Sequence, residues 1–254
     1  MLSIIPIEKI PLIRPGDDLA GILLNSLGEN QLQLQDGDII VLAQKIVSKA
    51  ENRLVNLTQV EPSAEAISLA EKTEKDARML ELVLRESRSV LRYRPGTVIV
   101  EHKLGFVCAN AGIDHSNVQG LWGNKEDWVL LLPENPDLSA ARIRERLGDA
   151  TGVYPGVMII DSHGRAWRLG TVGVTIGLAG MPGLVDLRGR EDMFGFHLRV
   201  TQVAAADELA AAASLVMGQA AEHLPAVLAR GFPYPLRDGS LNELIRPEDL
   251  DLFR

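Results

Sequence analysis

Val157-Met158-Ile159-Ile160-Asp161-Ser162-His163-Gly164-Arg165 is the stretch on which the reading of this chain turns. Four consecutive apolar residues, three of them β-branched, predict a buried strand over 157–160. The run passes straight into an aspartate and a serine, both oxygen donors. An aspartate at the carboxyl end of a buried strand serves either as a ligand for a hard metal ion, with the neighbouring hydroxyl as a second oxygen, or as an acceptor for backbone amides. The residues alone leave both readings open.

Upstream, Asp36-Gly37-Asp38 predicts a turn into a second apolar run, Ile39-Ile40-Val41-Leu42, with Lys45 and Lys49 directly after it. Ser63 after Pro62 predicts a helix start, and Thr73 with Asp76 predicts a second start of the capping-box type. Leu80, Val83 and Leu84 recur at helical spacing, and Arg94-Pro95-Gly96 stops that run. Residues 97–100 and 105–108 predict two strands of a hairpin or meander, and 128–132 a short strand ended by Pro133. Residues 139–147 predict a helix that Gly148 ends in a left-handed cap.

Downstream lies a glycine-rich stretch, Gly170, Gly173, Gly177, Gly180 and Gly183. An alanine-rich helix is expected at 204–217, with Asp207 and Glu208 near the positive end of its dipole and Gly218 at its close. Strands and helices intermix without regular alternation. That predicts the α+β class, with mixed sheets and packed helices, rather than a doubly wound sheet.

The 254 residues are 46% hydrophobic, enough for one large domain or two small ones with a core that needs no disulfide. Cys108 is the only cysteine, so an intrachain disulfide and a Cys-x-x-Cys zinc site are both excluded. Its expected role is that of a buried small apolar residue, which suits a reducing cytoplasm. No apolar run approaches the roughly 18 to 20 residues that span a bilayer. The opening segment MLSIIPIEKIPLIRPGDD is too quickly charged for a secretory signal, so a soluble, cytoplasmic chain with no membrane contact is expected. A net charge of −8 and an aromatic content of 4% argue against a nucleic-acid partner.

Several familiar motifs are absent: there is no Gly-x-x-x-x-Gly-Lys-Ser/Thr loop, no Gly-x-Gly-x-x-Gly after a strand and no His-Glu-x-x-His. Two loops carry the candidate chemistry instead. One is the Asp161 segment. The other is Ala109-Asn110-Ala111-Gly112-Ile113-Asp114-His115-Ser116-Asn117, whose small residues allow a ligand close to the backbone. Asp114 and Asn117 either face that ligand or cap a polar turn. Lys45 and Lys49 serve phosphate oxygens as point charges or are simply solvated. Arg165, Arg168, Arg188 and Arg190, around the glycine-rich stretch and Asp192, form either a charged surface turn or a clamp for phosphate or carboxylate. The helix end Met217-Gly218-Gln219 brings backbone and an amide carbonyl into reach of a nucleotide.

Taken together, these residues resemble the coenzyme F420-0:L-glutamate ligase family, the γ-glutamyl ligases of deazaflavin coenzyme biosynthesis. The resemblance spans nearly the whole chain. It is carried by Ile10-Pro11-Leu12-Ile13 before Gly16-Asp17-Asp18, by Gly37 to Val41 leading to Ser48-Lys49-Ala50-Glu51, and by the loop from Asn110 to Asn117. It continues through Asp161 to Arg165, the glycines from Gly170 to Gly177, and Ala206-Asp207-Glu208 through Met217-Gly218. The order and spacing make it specific, since no single motif does.

The resemblance implies GTP-dependent addition of L-glutamate, through its amine, to the carboxylate of the lactyl phosphate arm of coenzyme F420-0, and then γ-linked additions. It implies two divalent cations, manganese or magnesium, with potassium assisting, and a homodimer. By matching position, Asp114, Asp161, Ser162 and Gln219 fall on metal ligands. Ile10, Pro11, Leu12, Ile13, Gln44, Lys45, Lys49, Asn117, Leu215, Val216, Met217, Gly218, Ala220, Ala221 and Glu222 fall on nucleotide contacts. Ser162 stands where threonine is frequent, Gln44-Lys45 where smaller hydroxyl residues stand, and Gln219 where some members carry glutamate. The implied fold is one module over residues 1–254 with two closely packed lobes and no appended flavin reductase domain. A carboxylate must be activated before an amine attacks it, and an acyl phosphate made from the γ-phosphate does this without a protein nucleophile.

Overall fold

The two apolar runs pair with each other at the centre of a five-stranded sheet. The computed structural model describes residues 1–252. In chain order the regular elements begin with β1 (Ser3–Pro6), α1 (Leu19–Glu29), β2 (Ile39–Ala43), α2 (Gln44–Ala50), β3 (Leu54–Asn56), α3 (Ala64–Thr73) and α4 (Ala77–Arg85). They continue with β4 (Ser87–Arg94), β5 (Thr97–His102), β6 (Val107–Ala109), β7 (Trp128–Leu130), α5 (Pro136–Thr151), β8 (Gly156–Gly164) and β9 (Thr171–Ala179). The last are β10 (Val185–Asp186), β11 (Gln202–Val203), α6 (Ala205–Met217) and β12 (Ala226–Arg230). The main sheet runs β1-β12-β2-β8-β9, parallel only between β2 and β8. Smaller sheets are β4-β5-β6, β3-β7 and β10-β11. The architecture is α+β with mixed sheets and packed helices, as expected.

The unbroken apolar runs follow from cover on both faces of the sheet. Ile40, Leu42, Val157 and Ile159 point into one core with α1, α2 and α5. Ile39, Val41, Met158 and Ile160 point into another, closed by α6. A third core lies around β5, β7, α3 and α4, and Phe106 packs against both it and the first. At the sheet's far side, buried Asp38 accepts from Arg230 Nε at 2.8 Å and Nη2 at 2.7 Å, tying the turn before β2 to β12.

Local signals explain most helix starts. The Ser63 side chain accepts from the Ala66 amide ahead of α3, and Asp18 and Asn135 cap α1 and α5 in the same way. Four expectations are corrected. Thr73 closes α3, its hydroxyl donating to the Leu69 carbonyl, and Asp76 itself caps α4. The helical run does not reach Arg94: it ends at Arg85, and Ser87–Arg94 is a strand that turns at Pro95-Gly96 into β5. Gly148 lies inside α5, where a side chain would strike the Tyr154 ring, and the left-handed cap is Gly152 with φ 76°. The strand at 157–160 continues to Gly164, since every residue from Asp161 to Gly164 finds a partner on β9. Elements without a clear sequence signal are β1, α1, α2, β3 and β12, the last a fully internal strand. Among the described residues no helix is long and apolar enough to cross a membrane.

The glycine-rich stretch is mostly strand β9, and two of its glycines admit helices. A bulge near Ile176 puts Gly177 against Pro136 of α5, while Gly173 faces α6 on the other side of the sheet. A Cβ on Gly173 would lie 2.5 Å from the Ala210 carbonyl oxygen and 2.6 Å from Ser214 Cβ. That contact is backbone and cannot swing aside. Gly173→Ala is therefore expected to lower stability by about 2 kcal/mol through overpacking. Urea unfolding checks this: an unchanged midpoint would mean that α6 slides without cost.

Candidate functional site

Helix α2 starts directly after β2 and so stands at the carboxyl end of the central strand pair. Its Lys45 and Lys49, four residues apart, share one helix face. Both ammonium groups meet the 114–117 loop: Lys45 Nζ donates to the Ser116 carbonyl at 3.4 Å and Lys49 Nζ to the Asn117 carbonyl at 2.9 Å. That loop is anchored by Asp114, whose backbone exchanges hydrogen bonds with Leu130 at 2.9 and 2.8 Å. Asn117, at φ 56°, donates its side-chain amide to the Ala220 carbonyl at 3.1 Å, joining the loop to the turn after α6.

Between these segments lies a cleft of about 330 Å³. Its walls include Ile10, Pro11, Leu12, Ile13, Lys45, Lys49, Asn117, Met217, Gly218, Gln219, Ala220, Ala221 and Glu222, with His223, Leu224 and Pro225. The apolar side comes from residues 10–13, the cationic side from α2, and the backbone-rich side from 218–222. Gly218 is left-handed at φ 74°, and a Cβ there would lie 2.2 Å from Glu222 Cδ. Three residues of the expected contact set are not on the wall. Gln44 is buried, donating to Asp114 Oδ2 at 2.5 Å and accepting from Ser48. Leu215 projects from α6 at 86% exposure, and Val216 packs towards the α6 core.

Asp114 carries the electrostatic interest. Burial pushes its carboxyl above the usual range; Lys45 opposes this, and the like charge of Asp161 adds to it. Lys45 Nζ lies 2.5 Å from Asp114 Oδ2. Lys49 is held below its ordinary value, first by burial and then by the charge of Lys45, with Asp114 partly compensating. The cluster is a charge balance of two cations against two anions in a half-dry cleft.

The other expected ligands sit on β8, and strand geometry divides them. Successive side chains point to opposite faces. Asp161 therefore shares the face of Ile159, and Ser162 that of Ile160. The contacts agree: Asp161 Oδ2 lies 3.0 Å from His163 Nε2, two residues along the same face. Ser162 Oγ donates to Gln219 Oε1 at 2.9 Å on the α6 side, and Gln219 Nε2 donates to Ser214 Oγ at 3.0 Å. His163 was missed in the sequence, although its spacing of two from Asp161 on a strand is the signal that finds it. Phe106 ties it inward, with ring centroids 5.2 Å from His163 and 5.2 Å from buried His102. His102 is pushed down to about 4 by burial and by His163. Cys108 is buried, and its thiol is pushed up to about 12 by burial and by Asp161. Of the four arginines read as a clamp, Arg188 closes on Asp186 and Arg165 donates to the Leu169 carbonyl. Among the described residues no three His, Cys, Asp or Glu side chains converge as a metal cage.

Removing Lys45 leaves the Asp114 carboxylate short of its nearest cation. Lys45→Ala is expected to cost about 2 kcal/mol at pH 8, less than a fully buried pair, because both side chains keep about a quarter of their exposure. The sign follows from the raised carboxyl. Below its folded pKa, Asp114 is protonated in the native state and the lost ammonium matters little. The deficit therefore shrinks as pH falls towards 4. Adding Asp114→Asn should restore most of the loss at pH 8. A deficit independent of pH and unrelieved by the second substitution would refute the pairing.

The family model for F420-0:Gamma-glutamyl ligase matches residues 8–231. Among curated proteins, the coenzyme F420:L-glutamate ligase of Methanothermobacter thermautotrophicus is 47% identical, covering 100% of this chain and 99% of that one. The protein of that name from Methanopyrus kandleri is 45% identical over the same shares. The one from Archaeoglobus fulgidus is 40% identical over 100% of this chain and 96% of its own.

Proposed function

The chain belongs to the F420-0:gamma-glutamyl ligase family, and on that premise we propose that it joins L-glutamate to coenzyme F420-0 by an amide bond, with GTP as the energy-supplying substrate, and then extends the tail through γ-linkages. One observation carries the reading to the residues. A cleft has an apolar wall, a backbone-rich turn and two lysines, one of them paired with Asp114, which also feels the charge of Asp161, and a nucleoside triphosphate with its cations requires such a set.

The base lies along Ile10–Ile13, and the phosphates run towards Lys45 and Lys49. The acceptor carboxylate attacks the γ-phosphorus, the bond to the bridging oxygen breaks and GDP leaves. The amine of L-glutamate then attacks the acyl carbon, the bond to the phosphate oxygen breaks, and inorganic phosphate departs while the nitrogen releases its proton to water. No protein nucleophile takes part, so the residues act by positioning and charge.

Divalent manganese or magnesium would be held by Asp114 and Asp161 on one face of β8 and by Ser162 and Gln219 on the other. The donor set fits hard cations, which take one or two carboxylates and complete their shell from phosphates and water. The crowded negative charge at Asp114, now met by Lys45, marks where such a cation is favoured. When bound, the cations neutralise phosphate charge and polarise the γ-phosphoryl group. Gln219 supplies a neutral carbonyl, so the second cation is held more weakly. Potassium belongs to the same reading.

A homodimer belongs to the same reading. Trp167 and Leu169 in one segment and Met193 and Phe194 in another are each more than 90% exposed, which is unusual for large apolar side chains left in water.

The test is incubation with coenzyme F420-0, L-glutamate, manganese and either GTP or ATP, followed by product masses. A glutamyl increment with GTP is expected; no increment with either nucleotide sinks the proposal. Asp161→Asn should reduce turnover by at least about 100-fold, or roughly 2.7 kcal/mol, with the thermal transition nearly unchanged. Full activity of that variant at limiting manganese would remove Asp161 from the ligand set.

A further inference from the structure

A second and larger cavity, of about 670 Å³, opens beside the Gly164 end of β8 and shares no lining residue with the nucleotide cleft. Its floor is Ile99 of β5 with Phe106, Val107 and Cys108, and its far wall is the C-terminal segment at Leu244 and Ile245. Its rim carries four arginines, Arg92, Arg165, Arg168 and Arg246, together with one carboxylate, Asp251. Two of these arginines spend a donor on main-chain carbonyls, Arg92 on Leu91 at 2.7 Å and Arg165 on Leu169 at 3.1 Å. The chain as a whole carries a charge of −8. Four guanidinium groups around one apolar hollow therefore run against the average of the surface and create a local field for anions.

The cavity is connected to the reaction centre. Phe106 in its floor packs against His163, which hydrogen-bonds Asp161 at 3.0 Å. Gly164, on the cavity wall, follows Asp161 by three strand residues, a distance of about 10 Å at the rise of a β-strand.

We propose that this cavity is the acceptor site. It takes a flat aromatic ring system on the apolar floor and holds the attached phosphodiester on the rim arginines, so that the terminal carboxylate reaches the Asp161 end of β8. Resting on the ligase reading above, the inference assigns the deazaflavin and its phosphodiester to residues outside the nucleotide cleft. The volume falls within the range of about 300 to 1,000 Å³ that encloses most of a small organic ligand. Planar guanidinium groups suit a phosphodiester and a carboxylate because each offers paired N–H donors to two oxygens. The nucleotide cleft has the converse lining, with lysines and a backbone-rich turn.

The experiment measures binding of coenzyme F420-0 by the fluorescence of its deazaflavin, without nucleotide. A non-hydrolysable GTP analogue with manganese is titrated separately. Three variants are compared with the unaltered chain: Arg168→Ala, Arg246→Ala, and Val107→Trp, which fills the hollow from a partly exposed strand position. Each is expected to raise the Kd for coenzyme F420-0 at least about tenfold while leaving the Kd of the GTP analogue within about twofold. Thermal transitions check that the variants fold. Unchanged coenzyme binding in all three, or loss of GTP-analogue binding in their place, overturns the assignment. If the unaltered chain binds coenzyme F420-0 in this arginine-dependent way but forms no glutamyl product, the ligase reading fails and the acceptor site stands. If it forms product and the three variants keep the parent KM for coenzyme F420-0, the site fails and the ligase reading stands.

Discussion

Strand β8 must point each successive side chain to the opposite face, and much of the molecule depends on that pleat. Through residues 157–160 the alternation supplies two hydrophobic cores at once, one under α1, α2 and α5 and one under α6. Where the apolar run ends, the same alternation sends Asp161 and Ser162 apart. Asp161 goes to the side with His163, and Ser162 to Gln219 beyond α6. Two polar pairs on two faces of one strand are thus set by geometry that the cores already enforce.

Charge is balanced around this strand with little to spare. The partly buried Asp114 carboxylate, with Asp161 nearby, is met by Lys45, and burial, aided by the charge of Lys45, weakens the hold of Lys49 on its proton. Helix α2 makes this arrangement possible because it follows β2 without a connecting loop. Its first turn lies against the loop that Asp114 anchors to Leu130. Opposed charges held this close respond strongly to a polyanion or a cation, because part of each charge is already out of water.

Both aspartates were visible in the sequence, each with an ordinary alternative. Asp114 was readable because it sits among small residues, and Asp161 because it ends an apolar run. That Asp161 belongs to the interior of a strand was not readable, since the pairing of residues 161–164 with β9 is a long-range contact with no local signature. The cleft's residues come from four separated stretches, so their convergence was available only through resemblance to a family. Gln44 illustrates the limit. It stands beside Lys45 in sequence, yet the helix turns it into the core, where it braces Asp114 rather than facing the cleft.

By itself the sequence determined the class, the two central strands, the helix cap at Ser63, and the types of residue available for chemistry. These depend on hydrophobic period and on side chains that bond their own neighbours, which are local properties. The tertiary structure decided the rest. It placed β12 between β1 and β2, turned the glycines of β9 towards two helices, and put the four arginines around a second hollow. Those outcomes depend on which distant segments meet. Asp161 shows both halves: its place at the end of an apolar run is written in the chain, but its face, its histidine and its distance from each cavity follow from the strand that pairs with it.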